Sequence, residues 1–413
     1  MTRSQPETQR DCVIAGGGIG GAVLALILGK AGKSVAILEK EIAPARIGRP
    51  EILALATFEI FDRLGAGRRL REESAIPIRG REIFLAGGEL LHRYDSPDFQ
   101  AENVQPFSVH PGKIREILIE EALRYPGVEL FRGQEVTGMM RHKDRISGVR
   151  CLDGSQWPAS LVVGDDGGYS RVREALGISL RARSFPLGFL AASLPEIPGG
   201  KTGYGQIWLR PEALGEKQGI FAALFIPQPG PLTSVIFLMT HGAWDHLREA
   251  PAEDFYREAL RTSPRSAHLR EKLSFPGDFF YHQRSYGHAE CYGRDGAVLM
   301  GDAAHPVAPA GGQGANMAVA DAQALGSAAL EAFRLNDFSW NMLCAYEKTR
   351  RPANARSLRF SQWSGALLRS LQLVPAAAPL LIPAVIRLLD HNAFLRKRFI
   401  QGVSHAFESR ASS

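Results

Sequence analysis

Two glycine-rich segments, each directly behind a short apolar run, constrain this chain more than any other feature of its sequence. The first follows the apolar residues 12–15 and leads into the helix formers of 22–28. The second follows 297–300 and precedes a helix predicted over 317–325. Strand, glycine turn and helix in this order are typical of the βαβ unit that binds a dinucleotide. Two such segments, far apart in one chain, predict a single bound nucleotide that is held from both sides.

Three glycines of the first segment have a defined role in such a unit. Gly16 allows the tight turn, Gly18 lets backbone amides approach a pyrophosphate, and Gly21 permits close helix packing. The next apolar run, 35–38, ends in Glu39, near the spacing expected for an acid that binds a ribose hydroxyl. An acid there favours FAD or NAD over a nucleotide with a 2′-phosphate; a plain βαβ unit is the alternative. The predicted binding residues are Gly16, Gly18, Ile19, Gly20, Gly21, Glu39 and Lys40.

Composition excludes several other classes of protein. At 413 residues, with 45% hydrophobic and 22% charged residues, the chain can bury a large core and divide into two lobes. Its net charge of +6 is spread along the sequence apart from short clusters at 68–71 and 396–398. No nucleic-acid-binding motif accompanies this charge, so we expect solvated helix faces and no nucleic-acid partner.

The four cysteines, Cys12, Cys151, Cys291 and Cys344, share no metal-ligand or redox spacing. We therefore expect free thiols in a reducing compartment, with no disulfide framework and no metal site. The polar residues 1–11 lack the apolar core of a secretory signal. Together these features predict a cytoplasmic protein.

A third segment, with the sequence GDDGGYSRVR at 164–173, follows the apolar run 161–163. The order of the three segments, with YEKTRRP at 346–352 behind the last, resembles the FAD-dependent aromatic hydroxylases of the para-hydroxybenzoate hydroxylase type, the group A flavoprotein monooxygenases. The loop from Arg49 through Glu51 and Leu53 is most similar to the branch that contains squalene epoxidases, ubiquinone-pathway hydroxylases and hydroxylases of alkylquinolone precursors.

The resemblance implies FAD as the cofactor and assigns residues to it. Asp302 would accept a hydrogen bond from a ribityl hydroxyl, and the helix N-terminus behind the second loop would face the N1 and C2 edge of the flavin. Asp166 and Arg173 are linked to FAD packing and to reaction with NAD(P)H; a helix cap is the alternative for Asp166. The remaining residues implied to contact the cofactor are Gly301, Pro309, Gly312, Gly314, Ala315 and Asn316.

This chain departs from the family pattern at several of these positions. Where the family commonly has an arginine on the FAD pyrophosphate, this chain has Pro111. Arg115 or Lys113 would take its place, and a solvent-facing helix charge is an equal alternative for either. Arg49 is a further candidate for a pyrophosphate or adenosine contact. Three loop residues also differ, namely Ala308, Ala310 and Ala318.

Residues 178–277 carry apolar runs at 205–209, 219–226 and 234–239 between turns rich in proline and glycine. These runs predict a mostly antiparallel sheet with the helix 254–260 on one face. The resemblance places the substrate pocket under this sheet. The candidate pocket residues are Trp208, Phe221, Phe225, Phe237, Tyr281, His282, Pro309, Ala310 and Gly311. Aromatic residues at strand spacing are more often core than ligand contacts, and a hydrogen-bonded structural role is the commoner identity for His282.

The sequence therefore predicts an α/β fold with interleaved domains. A Rossmann-like FAD-binding domain of the para-hydroxybenzoate hydroxylase type would comprise 1–80, 106–177 and 278–360. A mostly antiparallel substrate-binding domain would comprise 81–105 and 178–277, and 361–413 would form a C-terminal helical segment. Within it the apolar run 373–386 is too short and too rich in proline to cross a bilayer of about 30 Å. The pattern allows peripheral membrane contact, with docking on the protein's own core as the alternative.

The function implied by the resemblance is that of an FAD-dependent monooxygenase. It would use NADPH or NADH and O2 to hydroxylate an electron-rich, aromatic small molecule through a C4a-hydroperoxyflavin. No residue is singled out as catalytic by its spacing, and the oligomeric state is left open. Two alternatives remain, a flavin-dependent double-bond reductase of the geranylgeranyl reductase type and a redox-silent FAD-binding accessory protein of a biosynthetic complex.

Overall fold

The computed structural model describes residues 8–43, 50–95, 105–197, 201–308 and 312–392. Five parallel strands form its centre, in the spatial order 128–132, 35–39, 10–15, 156–164 and 297–299, and the short strand 293–294 pairs antiparallel with the last of them. The apolar run 12–15 forms the middle of this sheet and is at most 2% exposed. Continuous burial of this kind is typical of parallel strands that are covered on both faces.

The strands follow the apolar runs of the sequence closely. In chain order they are β1 (Arg10–Ala15), β2 (Val35–Glu39), β3 (Glu51–Ala54), β4 (Ala75–Pro77), β5 (Gly80–Leu85), β6 (Leu90–Asp95), β7 (Pro106–Val109), β8 (Val128–Arg132), β9 (Val136–His142), β10 (Arg145–Cys151), β11 (Gln156–Gly164), β12 (Leu180–Ser184), β13 (Leu187–Pro195), β14 (Tyr204–Leu209), β15 (Ile220–Gln228), β16 (Leu232–Thr240), β17 (Phe280–His282), β18 (Ser285–Ala289), β19 (Gly293–Arg294) and β20 (Ala297–Leu299).

The helices lie between these strands, and the two longest are near the C-terminus. They are α1 (Ile19–Lys30), α2 (Leu55–Leu64), α3 (Gly67–Ser74), α4 (Pro111–Leu123), α5 (Arg171–Ala175), α6 (His241–Leu247), α7 (Ala252–Thr262), α8 (Leu269–Lys272), α9 (Gly314–Leu335), α10 (Trp340–Leu373) and α11 (Ala378–His391). Short 3-10 turns lie at Pro211–Gly215, Pro264–His268, Gly301–Ala303 and Pro375–Ala377. The helices α1 and α9, which follow the two glycine-rich segments, pack against each other.

A second, seven-stranded sheet has the order β17-β13-β16-β15-β14-β5-β6 and is antiparallel except between β14 and β5. Its strands come from two stretches of the chain, 80–95 and 187–282. One face packs on α6 and α7, and the other faces the cofactor loops. A parallel sheet, a second and mostly antiparallel sheet, and a helical C-terminal segment agree with the predicted fold class.

The C-terminal helices α10 and α11 close one side of the molecule. The Ile382 and Ile386 side chains of α11 pack against the core, whereas Leu380, Leu381 and Leu388 are 50–75% exposed. Among the described residues, no single helix combines the length and the apolarity needed to cross a bilayer. Only α10 taken with 375–388 meets both requirements, and this pair is bent by 112°.

Candidate active site

A cleft of about 770 Å³ opens at the carboxyl ends of β1, β2 and β11. Parallel strands deliver their following loops to this edge of the sheet, so ligands bind there in open α/β folds. The cleft is lined by the first glycine-rich segment, by Glu39 and Lys40, and by the loop behind β11. The sequence-predicted residues that it brings together are Gly16, Gly18, Glu39, Lys40, Arg115, Asp166 and Arg173.

Two glycines in the turn between β1 and α1 are required for different reasons. Gly16 has φ +109°, and a Cβ there would lie 2.2 Å from the Asp165 carbonyl oxygen, so no other residue fits. At Gly18 a Cβ would find its nearest neighbour, Asp165 Oδ2, at 3.3 Å. No other atom would lie within 4 Å of that Cβ, so the missing side chain leaves Gly18 open to the cleft that it lines, at the N-terminus of α1.

Glu39 closes the far wall of the cleft. Its side chain is buried; Oε2 accepts a hydrogen bond from the Gly17 N–H at 3.1 Å, and Oε1 accepts one from the Glu41 N–H at 3.0 Å. These two bonds fix the carboxylate at the end of β2, where a ribose hydroxyl would reach it. Lys40, the next residue, is exposed at the rim.

Two buried polar atoms of the cleft have no hydrogen-bond partner among the described residues. They are Nη2 of Arg115 and Oδ1 of Asp166. Buried polar groups are normally satisfied, so an orphaned donor and an orphaned acceptor in one cleft indicate a polar ligand. A dinucleotide with a pyrophosphate and ribose hydroxyls fits both. Lys113, the other candidate for the missing arginine, lies 3.6 Å from Glu73 in a half-exposed ion pair.

Asp166 and Arg173 hold the loop behind β11 in place. Asp166 Oδ2 accepts a hydrogen bond from the Val172 N–H at 3.0 Å, so this carboxylate caps α5 and still faces the cleft with its other oxygen. Arg173 donates to the carbonyl oxygens of Ala303 and Gly168, each at 2.9 Å. Arg173 thus ties the third sequence segment to the second glycine-rich segment. Burial lowers its pKa from the ordinary value.

Asp165 lies where the glycine-rich segments meet, and sequence reasoning gave it no role. Its Oδ2 accepts a hydrogen bond from the Gly21 N–H at 2.6 Å, within the first turn of α1. It lines both the cleft and the second cavity described below. Burial raises its pKa well above the ordinary value, and nearby carboxylates such as Asp302 add to this rise. Both causes oppose ionisation of this carboxyl group at the junction of the glycine-rich segments.

A second cavity, of about 490 Å³, lies between the seven-stranded sheet and the loop that starts α9. Of the predicted cofactor residues, it brings together Gly18, Ile19, Gly20, Asp302, Gly312, Gly314 and Ala315. Asp302 pairs with Arg284, whose Nη1 lies 3.2 Å from Oδ2. Cleft and cavity share Gly18 and Asp165, so one extended molecule can pass from the first into the second.

Asn316 does not line this cavity. Its Oδ1 accepts from the Ala54 N–H at 3.0 Å and from Thr57 Oγ1 at 2.6 Å, while Nδ2 donates to the Ile52 and Gly312 carbonyl oxygens at 2.7 and 2.9 Å. Both polar atoms of this amide thus have all their hydrogen bonds within the protein, and these bonds join the start of α9 to β3 and α2. Asn316 therefore shapes the loop at the start of α9 and does not contribute its side chain to the cavity.

Behind the second glycine-rich segment lies a buried ionic network. Asp321, which is 0% exposed, accepts hydrogen bonds from His305 Nε2, from Arg350 Nε at 2.8 Å, from Asn354 Nδ2 at 3.2 Å and from the Gly301 N–H at 3.2 Å. Arg350, of the sequence YEKTRRP, is 1% exposed. This network locks the Gly301–Ala303 turn to α9 and α10.

The seven-stranded sheet turns most of its predicted aromatic residues away from the cavity. Trp208, Phe225 and Phe237 belong to the core between the sheet and α6 and α7. Because side chains alternate along a strand, their neighbours Ile207, Leu224, Ile236 and Leu238 line the cavity instead.

The remaining aromatic candidates lie in other surroundings. A bulge between Ile220 and Ala222 shifts Phe221 to the opposite face from Phe225, where it is buried in the core without lining the cavity. Tyr281 stacks on Trp244 at 4.4 Å and forms a hydrogen bond with His241. His282 does line the cavity. Arg49, Pro309, Ala310 and Gly311 lie outside the described residues.

Comparison with known proteins identifies the family of this chain. Residues 9–361 match the family model described as FAD binding domain. The chain is 29% identical over 361 residues to the ubiquinone hydroxylase UbiL of Rhodospirillum rubrum, covering 83% of this chain and 78% of that protein. It is 31% identical to a 12-dehydrotetracycline 5-monooxygenase/anhydrotetracycline 6-monooxygenase of Streptomyces rimosus, with 87% and 70% covered. Among solved structures, PqsL of Pseudomonas aeruginosa with 2-aminobenzoylacetate superposes with a TM-score of 0.75 at 25% identity, covering 88% and 97%.

Proposed function

This chain belongs to the FAD binding domain family, and we propose that it is an FAD-dependent monooxygenase that uses NADPH or NADH and O2 to hydroxylate an electron-rich aromatic small molecule. One observation carries the proposal. A polar cleft with orphaned buried atoms continues, past Asp165, into a cavity with aliphatic walls. The first part suits a dinucleotide, and the second suits an apolar substrate beside its reactive end.

The cofactor would be held at both ends by groups already described. Glu39 would bind the adenosine ribose, the amides behind Gly18 and the guanidinium of Arg115 would bind the pyrophosphate, and Asp302 would accept a hydrogen bond from the ribityl chain. When bound, the flavin supplies the redox chemistry that passes electrons to O2 and one oxygen atom to the substrate. The N-terminal amides of α9 would stabilise negative charge at the end of the flavin that they face.

The protein's own contribution is orientation and the exclusion of water. Ile207, Leu224 and Ile236 give the cavity an apolar wall on the sheet side. Such a wall keeps water away from reactive species that would otherwise be lost to hydrolysis or released as peroxide. Burial opposes ionisation of Asp165, and in its protonated form this carboxyl group would donate a hydrogen bond at the junction of cleft and cavity. Nicotinamide nucleotide would bind transiently, and the family resemblance implicates Arg173 in that step.

Two alternatives predict different behaviour. A double-bond reductase would oxidise NADPH without consuming O2, and a redox-silent accessory protein would bind FAD without oxidising NADPH at all. The deciding experiment measures NADPH, O2 and hydrogen peroxide together, with FAD-loaded protein and a panel of phenols, aromatic amines, quinolones and polyprenyl phenols. Substrate-stimulated consumption of NADPH and O2 in equal amounts, with little peroxide, is the expected result. NADPH oxidation without O2 uptake supports the reductase, and bound FAD with no NADPH oxidation supports the accessory protein.

We also propose a cytoplasmic enzyme that touches membranes through α11. Four free cysteines agree with a reducing compartment. The outward face of α11 exposes Leu380, Leu381 and Leu388, and an apolar helix face of this kind suits the surface of a bilayer. Flotation with phosphatidylglycerol vesicles tests this contact. Replacing Leu380 and Leu381 with serine should abolish flotation, and wild-type protein that stays in the aqueous fraction would contradict membrane contact.

A further inference from the structure

We propose that Asp165 is protonated in the complex with FAD, so that binding of the cofactor is coupled to uptake of a proton by this one side chain. The inference rests on the FAD binding that the proposed function includes, and not on the reaction that follows. Asp165 directly follows β11 and is distinct from its neighbour Asp166, which the family resemblance assigns to the cofactor. Asp166 caps α5, whereas Asp165 turns toward α1 and the two glycine-rich segments.

Asp165 occupies the space between the two glycine-rich segments. A Cβ at Gly20 would lie 3.0 Å from its Oδ2, and a Cβ at Gly301 would lie 2.6 Å from its Oδ1. The same Oδ2 accepts the hydrogen bond from the Gly21 N–H at 2.6 Å. The carboxyl group thus touches both segments at the junction of cleft and cavity, and it lines both of them. An extended cofactor that passes from the cleft into the cavity must run past it.

The hydrogen bonding of this carboxyl group does not require a negative charge. Within the described ranges of the chain, the Gly21 N–H is the one donor to the Asp165 side chain, and no lysine, arginine or histidine there forms an ion pair with it. A protonated carboxyl group still accepts such a bond through its carbonyl oxygen. A buried carboxylate with one neutral donor and no cation is costly, so protonation removes a cost without loss of the bond.

Carboxylates approach Asp165 from three elements around it. Asp302 lies in the 3-10 turn 301–303, Asp166 in the loop behind β11, and Asp321 in α9. Burial is the largest cause that raises the pKa of Asp165 well above its ordinary value, and these three acids add to the rise, whereas the Gly21 N–H opposes it. The first glycine-rich segment itself contributes no ionisable side chain.

The cations of these elements are held by other groups. Arg284 pairs with Asp302, Arg350 pairs with Asp321, and Arg173 donates to two backbone carbonyl oxygens. His305 also donates to Asp321. The remaining charged side chains that line the cleft come from the end of β2, from the β8–β9 connection, from α4 and from α5 and the residue before it, and they are Glu39, Lys40, Glu135, Arg115, Arg171 and Glu174.

FAD would add negative charge at this junction, since each phosphate of its pyrophosphate carries one. Like charges oppose ionisation of a carboxyl group, so the pKa of Asp165 should be higher in the complex than in the free protein. At a pH between these two pKa values, binding of FAD takes up one proton from solution. Affinity should therefore be constant below the pKa of the free protein and should fall as the pH rises above it. The proton also gives the carboxyl group a donor for an oxygen of the cofactor.

Titration of the FAD-free protein with FAD, followed by flavin fluorescence from about pH 6 to about pH 9.5, tests this coupling. The Kd of the wild type should be constant at the acid end and rise at least tenfold by the alkaline end, with a limiting slope of about tenfold per pH unit. Asp165→Asn cannot ionise but keeps an acceptor for the Gly21 N–H, so its Kd should vary less than about twofold over the range.

Isothermal titration calorimetry at about pH 8.5, in Tris and in EPPS, counts the protons directly because the two buffers differ in ionisation enthalpy. The wild type should take up a proton and Asp165→Asn should take up none. Glu174→Gln is the matched control. This exposed acid lines the rim of the same cleft and pairs with Arg171, so its loss removes one negative charge but should preserve both the pH dependence and the proton uptake.

A pH-independent Kd without proton uptake in the wild type would overturn the proposal, as would the same pH dependence in Asp165→Asn as in the wild type. If Asp165→Asn does not fold, Asp165→Ser, which also has an acceptor and no charge, takes its place with the same expectation. Folded variants that do not bind FAD at any pH would show that the ionised carboxylate is required, and would also overturn it.

These titrations need no NADPH, O2 or substrate, so they are independent of the monooxygenase assay. Proton-coupled binding of FAD without substrate-stimulated O2 uptake would support the role of Asp165 and reject the proposed function. Coupled O2 uptake with pH-independent binding of FAD would do the reverse.

Discussion

Replacing Asp321 with asparagine should destabilise the protein strongly, because this carboxylate is the buried partner of Arg350. Both side chains are almost fully removed from water, and Arg350 Nε donates to Asp321 at 2.8 Å. Asparagine keeps the shape but removes the negative charge, and an NH₂ group in the position of Oδ2 can accept from neither His305 nor the Gly301 N–H. Breaking a buried ion pair by removing one partner costs about 3–5 kcal/mol, and we expect a loss of that size.

Urea unfolding of the FAD-free protein measures this cost, and a double-mutant cycle identifies its cause. Arg350→Met removes the stranded cation, so the Asp321→Asn/Arg350→Met double variant should lose about 1–3 kcal/mol less than the sum of the single losses. FAD affinity should fall in Asp321→Asn as well, since the Gly301 N–H loses its acceptor. Additive losses in the cycle, or a loss below about 1 kcal/mol for Asp321→Asn, would refute the reasoning.

The pH dependence gives an independent check on the same residue. Burial alone would raise the pKa of Asp321, but His305 and Arg350 outweigh burial and hold that pKa well below its ordinary value. The ionised carboxylate therefore stabilises the fold above the unfolded-state pKa of about 3.9, and this contribution is lost as the pH falls below it. The stability difference between wild type and Asp321→Asn should be constant near neutral pH and should shrink below about pH 4. A constant difference down to pH 3 would contradict this assignment.

Three further predictions concern the cofactor loop and the sheet. Gly18→Ala should fold normally but bind FAD at least tenfold more weakly in a fluorescence titration. Gly16→Ala, with a Cβ 2.2 Å from a carbonyl oxygen, should give little folded protein. Equal behaviour of the two variants would contradict this geometry. Glu39→Gln should weaken FAD binding about tenfold, as expected for the loss of a charged hydrogen-bond acceptor worth about 1.5 kcal/mol, and unchanged affinity would remove Glu39 from the site. In urea, Phe225→Ala should cost about 3–5 kcal/mol and leave the substrate range unchanged, while Leu224→Ala should cost less and alter the range; the opposite pattern would reverse the assignment of the two faces.

Most of the residues predicted to bind the cofactor lie together in the structure, because backbone geometry dictates the residue types of the turns that carry them. Gly16 is required by a positive φ and a 2.2 Å approach, and such constraints leave a readable mark on any chain that forms this turn. The strands predicted at 205–209, 219–226 and 234–239 are β14, β15 and β16, since apolar runs between turns specify strands directly.

The substrate half was less accessible to sequence reasoning because it depends on which face of each strand is turned inward. An apolar run does not show which of its residues point toward the cavity. The bulge near Phe221 also reverses the alternation of the two faces within a single strand. Asp165 lay inside a recognised motif, yet its importance comes from three loops that meet only in the folded chain.

The helix α10 joins two parts of the site in one rigid element. Arg350 near its middle belongs to the network behind the second glycine-rich segment, and Phe360, Ser364 and Leu368 further along it line the cavity. Each residue of an α-helix adds 1.5 Å along the helix axis and rotates the direction of the side chain by about 100° around that axis. A single insertion between residues 351 and 359 would therefore rotate the cavity-lining stripe out of place while Arg350 stayed fixed. We therefore expect homologous chains to differ by substitutions within 351–359 but to keep the length of this stretch. Insertions should be found in the loops outside it.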